Sequence, residues 1–217
     1  MRIGILGSGE VGRTLGTSLV SLGHEVMMAS RMPAGERITE WVKGAGPNAR
    51  AVTFAEAAAE GELLFNGLRG AVSVDVIGGL SAAATDGKTL IDIANDFSFT
   101  GPVPVVNVPQ TDSLAERIQR AAPQLRVVKA LNTINARVMV APKSLDGPHD
   151  LLMCGDDATA KANVVAFLRE WFGWENIIDL GKLECARGIE AYLGLWLRLR
   201  LHLGTSLFNI HVVTAQA

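Results

Sequence analysis

Residues 2–16 read RIGILGSGEVGRTLG, and the way this stretch is parsed decides the fold. RIGIL is a short, continuous apolar run, as expected of a strand covered on both faces. Gly7-Ser8-Gly9-Glu10-Val11-Gly12 follows at once, a G-x-G-x-x-G. Val11, Leu15, Leu19 and Leu22 then recur at helical spacing, so a helix opens inside the motif. The glycine pattern alone is weak, but between a first strand and a first amphipathic helix it is the dinucleotide-binding fingerprint. Gly7 permits the tight turn, Gly9 lets backbone N–H groups approach a pyrophosphate, and Gly12 lets helix and strand pack closely. Ser8, Glu10 and Val11 complete the loop, with the free donors of the helix N-terminus facing the anion.

The next apolar run, EVMMA, ends at Ser30-Arg31. An acidic residue at this strand tip would accept hydrogen bonds from the adenosine ribose and repel a 2′-phosphate. Here a guanidinium can pair with that phosphate, and the Ser30 hydroxyl can donate to it. Arg37, a turn further on, is a second contact, whereas Glu25 stands at the wrong end of the strand. The expected cofactor is NADP(H) rather than NAD(H).

Beyond it, ELLFN, TLIDIA, VPVVNV, RVVKAL, DLLMCG and NIIDL read as further strands separated by helical patterns. One of these carries Val164, Phe167, Leu168 and Trp171 on a single face, with Asp156 as its expected N-cap. The order implies an α/β, Rossmann-type, doubly wound, mostly parallel sheet with a small C-terminal α/β appendage. A Pro/Gly cluster near Gly147 suggests residues 1–149 as the NADP-binding domain and 150–217 as a smaller C-terminal one. From Leu195 to Leu203 apolar residues alternate like a strand, yet the longer stretch from Glu184 supports a helix, and length favours the helix. Arg198, Arg200 and His202 interrupt it too soon for a membrane span. Its apolar character implies burial in the domain or in a subunit interface.

The composition excludes several classes. Of 217 residues, 48% are apolar and the net charge is −2, so there is a core but no basic excess for nucleic acid or an anionic membrane. Cys154 and Cys185 suggest no disulfide framework and read as reduced, packed residues of a cytoplasmic protein. The N-terminus lacks a signal-peptide pattern. The four histidines have no metal-ligand spacing, so no metal is expected.

Taken together, GSGEVGRTLGTSLVSLGHEVMMASR, KTLIDIAND, VVKALNTINARVM, CGDD, and IDLG with ARGIE are more specific than the glycine loop. Over nearly its whole length the chain resembles the NADPH-dependent coenzyme F420 reductases (F420H2:NADP+ oxidoreductases). It is also similar to the related cytosolic domains of membrane ferric reductases. The resemblance implies that Ser30 and Arg31 meet the NADP 2′-phosphate, and that Asn66, Gly67 and Leu68 pass near the adenine-side ribose and pyrophosphate. It places Ala94 and Asn95 at the nicotinamide end. Ala130 to Asn135 then lie beside the nicotinamide and the acceptor ring, with Asn132 and Ile134 toward the substrate. Archaeal members carry histidine where Asn132 stands; an amide can hydrogen-bond a carboxamide or ring carbonyl but takes no positive charge. The resemblance further implies a homodimer paired through the C-terminal region, completing the acceptor site.

The expected activity is hydride transfer between NADP(H) and a flavin-like small molecule, coenzyme F420 first and FMN as the alternative acceptor. The cofactors carry this chemistry, so no catalytic side chain is required. A non-catalytic NADP(H) sensor is another reading. So is an imine or 2-hydroxyacid reductase using Lys129 as base, although those proteins append a large helical domain.

Overall fold

The computed structural model describes residues 1–99, 101 and 103–215. Strand β1 (Arg2–Leu6) runs through the glycine turn into helix α1 (Glu10–Ser21), and β2 (Glu25–Ala29) returns beside it. The alternation continues with α2 (Glu36–Ala45), β3 (Ala49–Val52), α3 (Phe54–Glu60) and β4 (Leu63–Asn66). Helix α4 (Gly70–Gly78) and the short α5 (Ala82–Thr85) lead to β5 (Thr89–Asp92). A small hairpin, β6 (Phe97–Ser98) and β7 (Val105–Val106), precedes α6 (Leu114–Ala121) and β8 (Arg126–Ala130). The chain then forms α7 (Ala136–Val140), β9 (Asp150–Gly155), α8 (Ala158–Phe167), β10 (Asn176–Asp179) and α9 (Ala186–Leu203).

Eight strands form one sheet in the order β10-β9-β8-β5-β4-β1-β2-β3. From β3 to β8 every pairing is parallel, and β1 lies between β2 and β4, with Ile3 opposite Val26 on one side and Leu63 on the other. The strand order therefore reverses between β1 and β4, the topological switch point at which open α/β sheets hold their ligands. Both faces are covered. Ile3, Ile5, Met28 and Phe65 pack under α1 and α2, while Leu6, Met27, Leu64 and Leu90 pack under α3 and α6 on the other face. Two-sided burial is why these strands read as unbroken apolar runs.

Several sequence expectations need correction. The boundary expected near Gly147 does not divide the sheet: β9 pairs antiparallel with β8, with Ala130 opposite Met153, and β10 extends the same sheet beside β9. The last segment thus supplies β9 and the edge strand β10 of the same sheet. Of VPVVNV only Val105–Val106 pairs, in the two-stranded hairpin, because neighbouring Pro104 and Pro109 cannot donate to a ladder. Strand β3 shows no clear apolar run, since at the sheet edge only its end residues Ala49 and Val52 are buried and Arg50 is exposed. The N-cap of α8 is Asp157, whose carboxylate accepts from the Ala160 N–H at 2.7 Å; Asp156 accepts from Leu183 N–H instead. Leu22 closes α1 as an exposed C-cap rather than a core residue.

The C-terminal leucine run is helical. Helix α9 buries Ile189, Leu193 and Leu197 but exposes Leu195, Leu201 and Leu203. Beyond it the chain returns to the start of β9, where buried Asp150 accepts the Val212 N–H at 2.6 Å and its own N–H donates to the Ile210 carbonyl.

Candidate functional site

The turns after β1 and β4 meet at the switch point. Gly67 N–H donates to Leu6 carbonyl at 2.9 Å, and Gly7 N–H donates to Ala29 carbonyl at 3.0 Å. Gly7 has φ +115°, and a Cβ there would lie 2.6 Å from the Gly67 carbonyl oxygen. A Cβ on Gly12 would collide with the Gly7 carbonyl oxygen. Gly9 differs, since among the described residues nothing lies within 4 Å of where its Cβ would be. It is the N-cap of α1 and offers no side-chain cap, so the first-turn N–H groups have no intrahelical partner and face an open crevice. Two glycines close the cradle and the third leaves room for an anion, so these residues fit a dinucleotide pyrophosphate. Ser8 shapes the loop through its carbonyl, which accepts from the Arg13 guanidinium at 3.0 Å.

At the tip of β2, Ser30 is tied by its N–H to the Val52 carbonyl, and its Oγ accepts from the Met32 N–H at 3.2 Å. That contact uses an acceptor lone pair and leaves the hydroxyl proton to donate. Arg31 is exposed and forms no ion pair among the described residues. Arg37 stands exposed in the first turn of α2, whose N-cap, Gly35, likewise provides no side-chain cap.

The tips of β4, β5 and β8 are locked by a buried polar network. Asn66 Nδ2 donates to Asp92 Oδ1 at 2.7 Å, and Asn66 Oδ1 accepts the Leu68 N–H, so this side chain shapes the Gly67-Leu68 turn rather than pointing outward. Lys129 Nζ donates to Asp92 Oδ2 at 2.9 Å and to the Ala94 carbonyl at 2.6 Å, and lies 3.0 Å from Glu190 Oε1 on α9. Glu190 in turn accepts the Leu114 and Ala115 N–H groups at the start of α6. Desolvation alone would lower the Lys129 pKa, but the Asp92 and Glu190 carboxylates outweigh it and hold it raised. Lys129 therefore remains a cation, and its contribution to stability is intact across neutral pH because a raised pKa loses its effect only at higher pH. It has no exposed surface and cannot serve as a base toward a bound substrate.

Asn95 and Asn132 face each other across the next layer. Asn95 Nδ2 donates to the Asn132 carbonyl at 2.7 Å, and Asn132 Nδ2 donates to Asn95 Oδ1 at 2.9 Å. Asn132 is buried, and its Oδ1 has no hydrogen-bond partner among the described residues. Leu131, just before it, holds φ +65°, a left-handed conformation that costs about 1–3 kcal/mol for a side-chain-bearing residue. The turn leaving β8 is thus strained where it delivers Asn132. Ala94 and Ala130 are buried and contribute backbone and packing.

Asn95, Asn132 and Ile134 line a cavity of about 410 Å³, closed on the far side by Phe97, Leu193 and Trp196. Glu10 and Val11, at the start of α1, form part of the same wall, so the glycine loop and this cavity are contiguous. The aromatic wall was not legible: Phe97 comes from the small hairpin and Trp196 from a helix that read only as apolar. Cys154 is buried, and burial pushes its thiol pKa up to about 12, so it is no nucleophile. Among the described residues no cluster of His, Cys, Asp or Glu could hold a metal ion, and no helix is long and apolar enough to cross a membrane.

Residues 2–96 match the family model described as NADP oxidoreductase coenzyme F420-dependent. A solved structure from Arthrobacter sp. FB24, provisionally named an F420-dependent NADP-reductase, is 40% identical. It superposes with a TM-score of 0.92, over 98% of this chain and 99% of that one. The chain belongs to the F420-dependent NADP oxidoreductase family. As a member of it, the protein is an NADP-dependent oxidoreductase. It is also 34% identical over 193 residues to Metalloreductase STEAP3 of Rattus norvegicus, covering 88% of this chain but only 36% of that protein's length. An imine reductase from Streptomyces aurantiacus, 15% identical with a TM-score of 0.65 over 94% of this chain and 64% of its own, shares the fold.

Proposed function

We propose that the protein transfers a hydride between NADP(H) and a flavin-like ring, coenzyme F420 in the first instance, inside the cavity between the strand tips and α9. The observation that carries this reading is that Glu10 and Val11 of the glycine loop and the Asn95–Asn132 pair line one cavity. A dinucleotide whose pyrophosphate sits over Gly9 then reaches Asn132 with its nicotinamide. Bound NADPH supplies the hydride. The chain's task is to hold the two rings face to face and exclude water.

Each residue has a role in this reading. Gly7 to Gly12 hold the pyrophosphate through backbone N–H groups, and Ser30 and Arg31 hold the 2′-phosphate, with Arg37 as an outer contact. Gly67 and Leu68 border the adenosine side by backbone, positioned by Asn66. Ala94 and Asn95 border the nicotinamide, and the unpaired Asn132 Oδ1 suits a carboxamide N–H. Ile134 and Trp196 wall the acceptor ring. The exposed leucines of α9 fit a homodimer contact that would bring the last third of the chain to the acceptor site; light scattering should return twice the chain mass, and a monomer would remove this element.

Substituting Arg31 with alanine should weaken NADPH binding by about 10- to 100-fold, the cost of losing charge-assisted hydrogen bonds to phosphate. Binding of NADH should hardly change. Equal NADPH affinity in the variant would refute the Arg31 assignment. Activity is tested by anaerobic NADPH oxidation with F420 and, separately, FMN, using NADH as the control donor. The reading expects F420 to bleach with NADPH and not with NADH. Turnover of FMN alone would make flavin the acceptor, and silence with both despite NADPH binding would favour a sensor.

A further inference from the structure

We propose that the groove outside the acceptor cavity is a receptor for an anionic tail on the acceptor, with Arg137 and Arg200 as its cations. This rests on the proposed ring-binding cavity and adds what must hang from the ring. The cavity opens outward into a larger groove of about 780 Å³, and Asn135, Leu197, Arg200 and Ser206 line both spaces. Arg137, the second residue of α7, lines only the outer one.

Neither guanidinium forms an ion pair among the described residues, whereas Arg117, Arg120, Arg126 and Arg187 each meet a carboxylate. Among the described residues Glu10 is the groove's single acidic side chain, and it also lines the ring cavity. The helix macrodipole accounts for a cation at Arg200, in the last turn of α9. It does not account for Arg137, because α7 is only five residues long and Arg137 belongs to both its first and its last turn. The two arginines are brought to one groove by a built connection. Gly204 turns the chain out of α9 with φ +66°, and Asn135 Nδ2 donates to Ser206 Oγ at 2.9 Å, fastening the end of α9 to the start of α7. Thr205 and Ser206 add hydroxyl donors beside the guanidiniums.

A polar, doubly cationic groove continuing from an aromatic-walled cavity fits a ring carrying phosphate or carboxylate groups, not a bare ring. Both arginines are exposed, so the selectivity is moderate and salt-sensitive.

The test is a binding comparison on NADP+-loaded protein, where no hydride can move. FMN and riboflavin share a ring and differ by one phosphate. The deazaflavin ring of F420 can likewise be offered with and without its phosphate-bearing tail. For whichever ring binds, the tailed form should bind about tenfold tighter, and 0.5 M salt should weaken only that form. In the double variant Arg137→Gln/Arg200→Gln the tailed ligand should fall to the affinity of the tailless one. NADP+ affinity and thermal midpoint should stay unchanged, and in the single variant Arg137→Gln, whose side chain lines only the outer groove, tailless binding should stay unchanged while the tailed form weakens. Equal affinity of tailed and tailless forms, no binding of either ring, or a preference that survives both substitutions would overturn the proposal. Because binding is read apart from turnover, a tail preference without hydride transfer would sink the proposed activity and leave this receptor standing.

Discussion

Replacing Lys129 with methionine is expected to destabilise the fold by about 3–5 kcal/mol, the range found when one partner of a buried ion pair is removed. The side chain is wholly buried between Asp92 and Glu190, and both carboxylates would lose their cation. Asp92 would keep Asn66 and the Ala94 N–H, and Glu190 would keep the two N–H groups of α6. Those neutral donors cannot compensate two negative charges inside the protein. For a chain of this size the thermal midpoint should fall by about 10 °C. Adding Asp92→Asn and Glu190→Gln to the methionine variant removes the stranded charges and should restore a large part of the loss. Chemical denaturation measures both; a loss below about 1 kcal/mol for the single variant, or no recovery in the triple one, would show that the network carries little energy. The same substitution frees the Ala94 carbonyl, so NADPH affinity should weaken as well.

A valine at Gly12 should abolish NADPH binding, raising Kd by at least about 100-fold. Its Cβ would land on the Gly7 carbonyl, and the clash cannot relax cheaply. Gly7 is hemmed by the Gly67 carbonyl, and hydrogen bonds to Ala29 and Leu6 fix both turns. Overpacking of this kind also costs about 1–3 kcal/mol of stability. Gly9→Ala separates binding from folding. Its methyl would enter open space, so the thermal midpoint should not move, yet it would stand where the pyrophosphate approaches. NADPH affinity should then drop about tenfold with the fold intact. If calorimetry found wild-type affinity in Gly12→Val, the glycine turn would not be the cofactor site.

The sequence was most legible where one residue type alone satisfies the backbone. Gly7 and Gly12 announced the turn because no side chain fits there, and the two-sided burial of β1, β2, β4 and β5 produced apolar runs that no solvated strand would show. Legibility failed where partners are distant in sequence. Glu190 sits on the apolar face of α9, and nothing in its sequence neighbourhood points to Lys129; only folding brings it 3.0 Å from that ammonium. The sequence leaves Lys129 open as a base, because a lysine in a strand gives no sign that two carboxylates will enclose it. The continuity of the sheet through β9 was hidden in the same way. A Pro/Gly cluster looks alike whether it separates domains or reverses the chain into an antiparallel strand of the same sheet. Asn66 was expected beside the cofactor and lies at the right strand tip, but its amide is spent on Asp92 and on the turn.

The central claim is that the crevice between β1 and β4 holds NADP(H) with its 2′-phosphate against Ser30 and Arg31. Calorimetric titration of the intact protein with NADPH and with NADH tests it most directly. The account predicts that NADPH binds about 100-fold more tightly, a difference that shrinks as salt is raised. Equal affinities, or a preference for NADH, would contradict it.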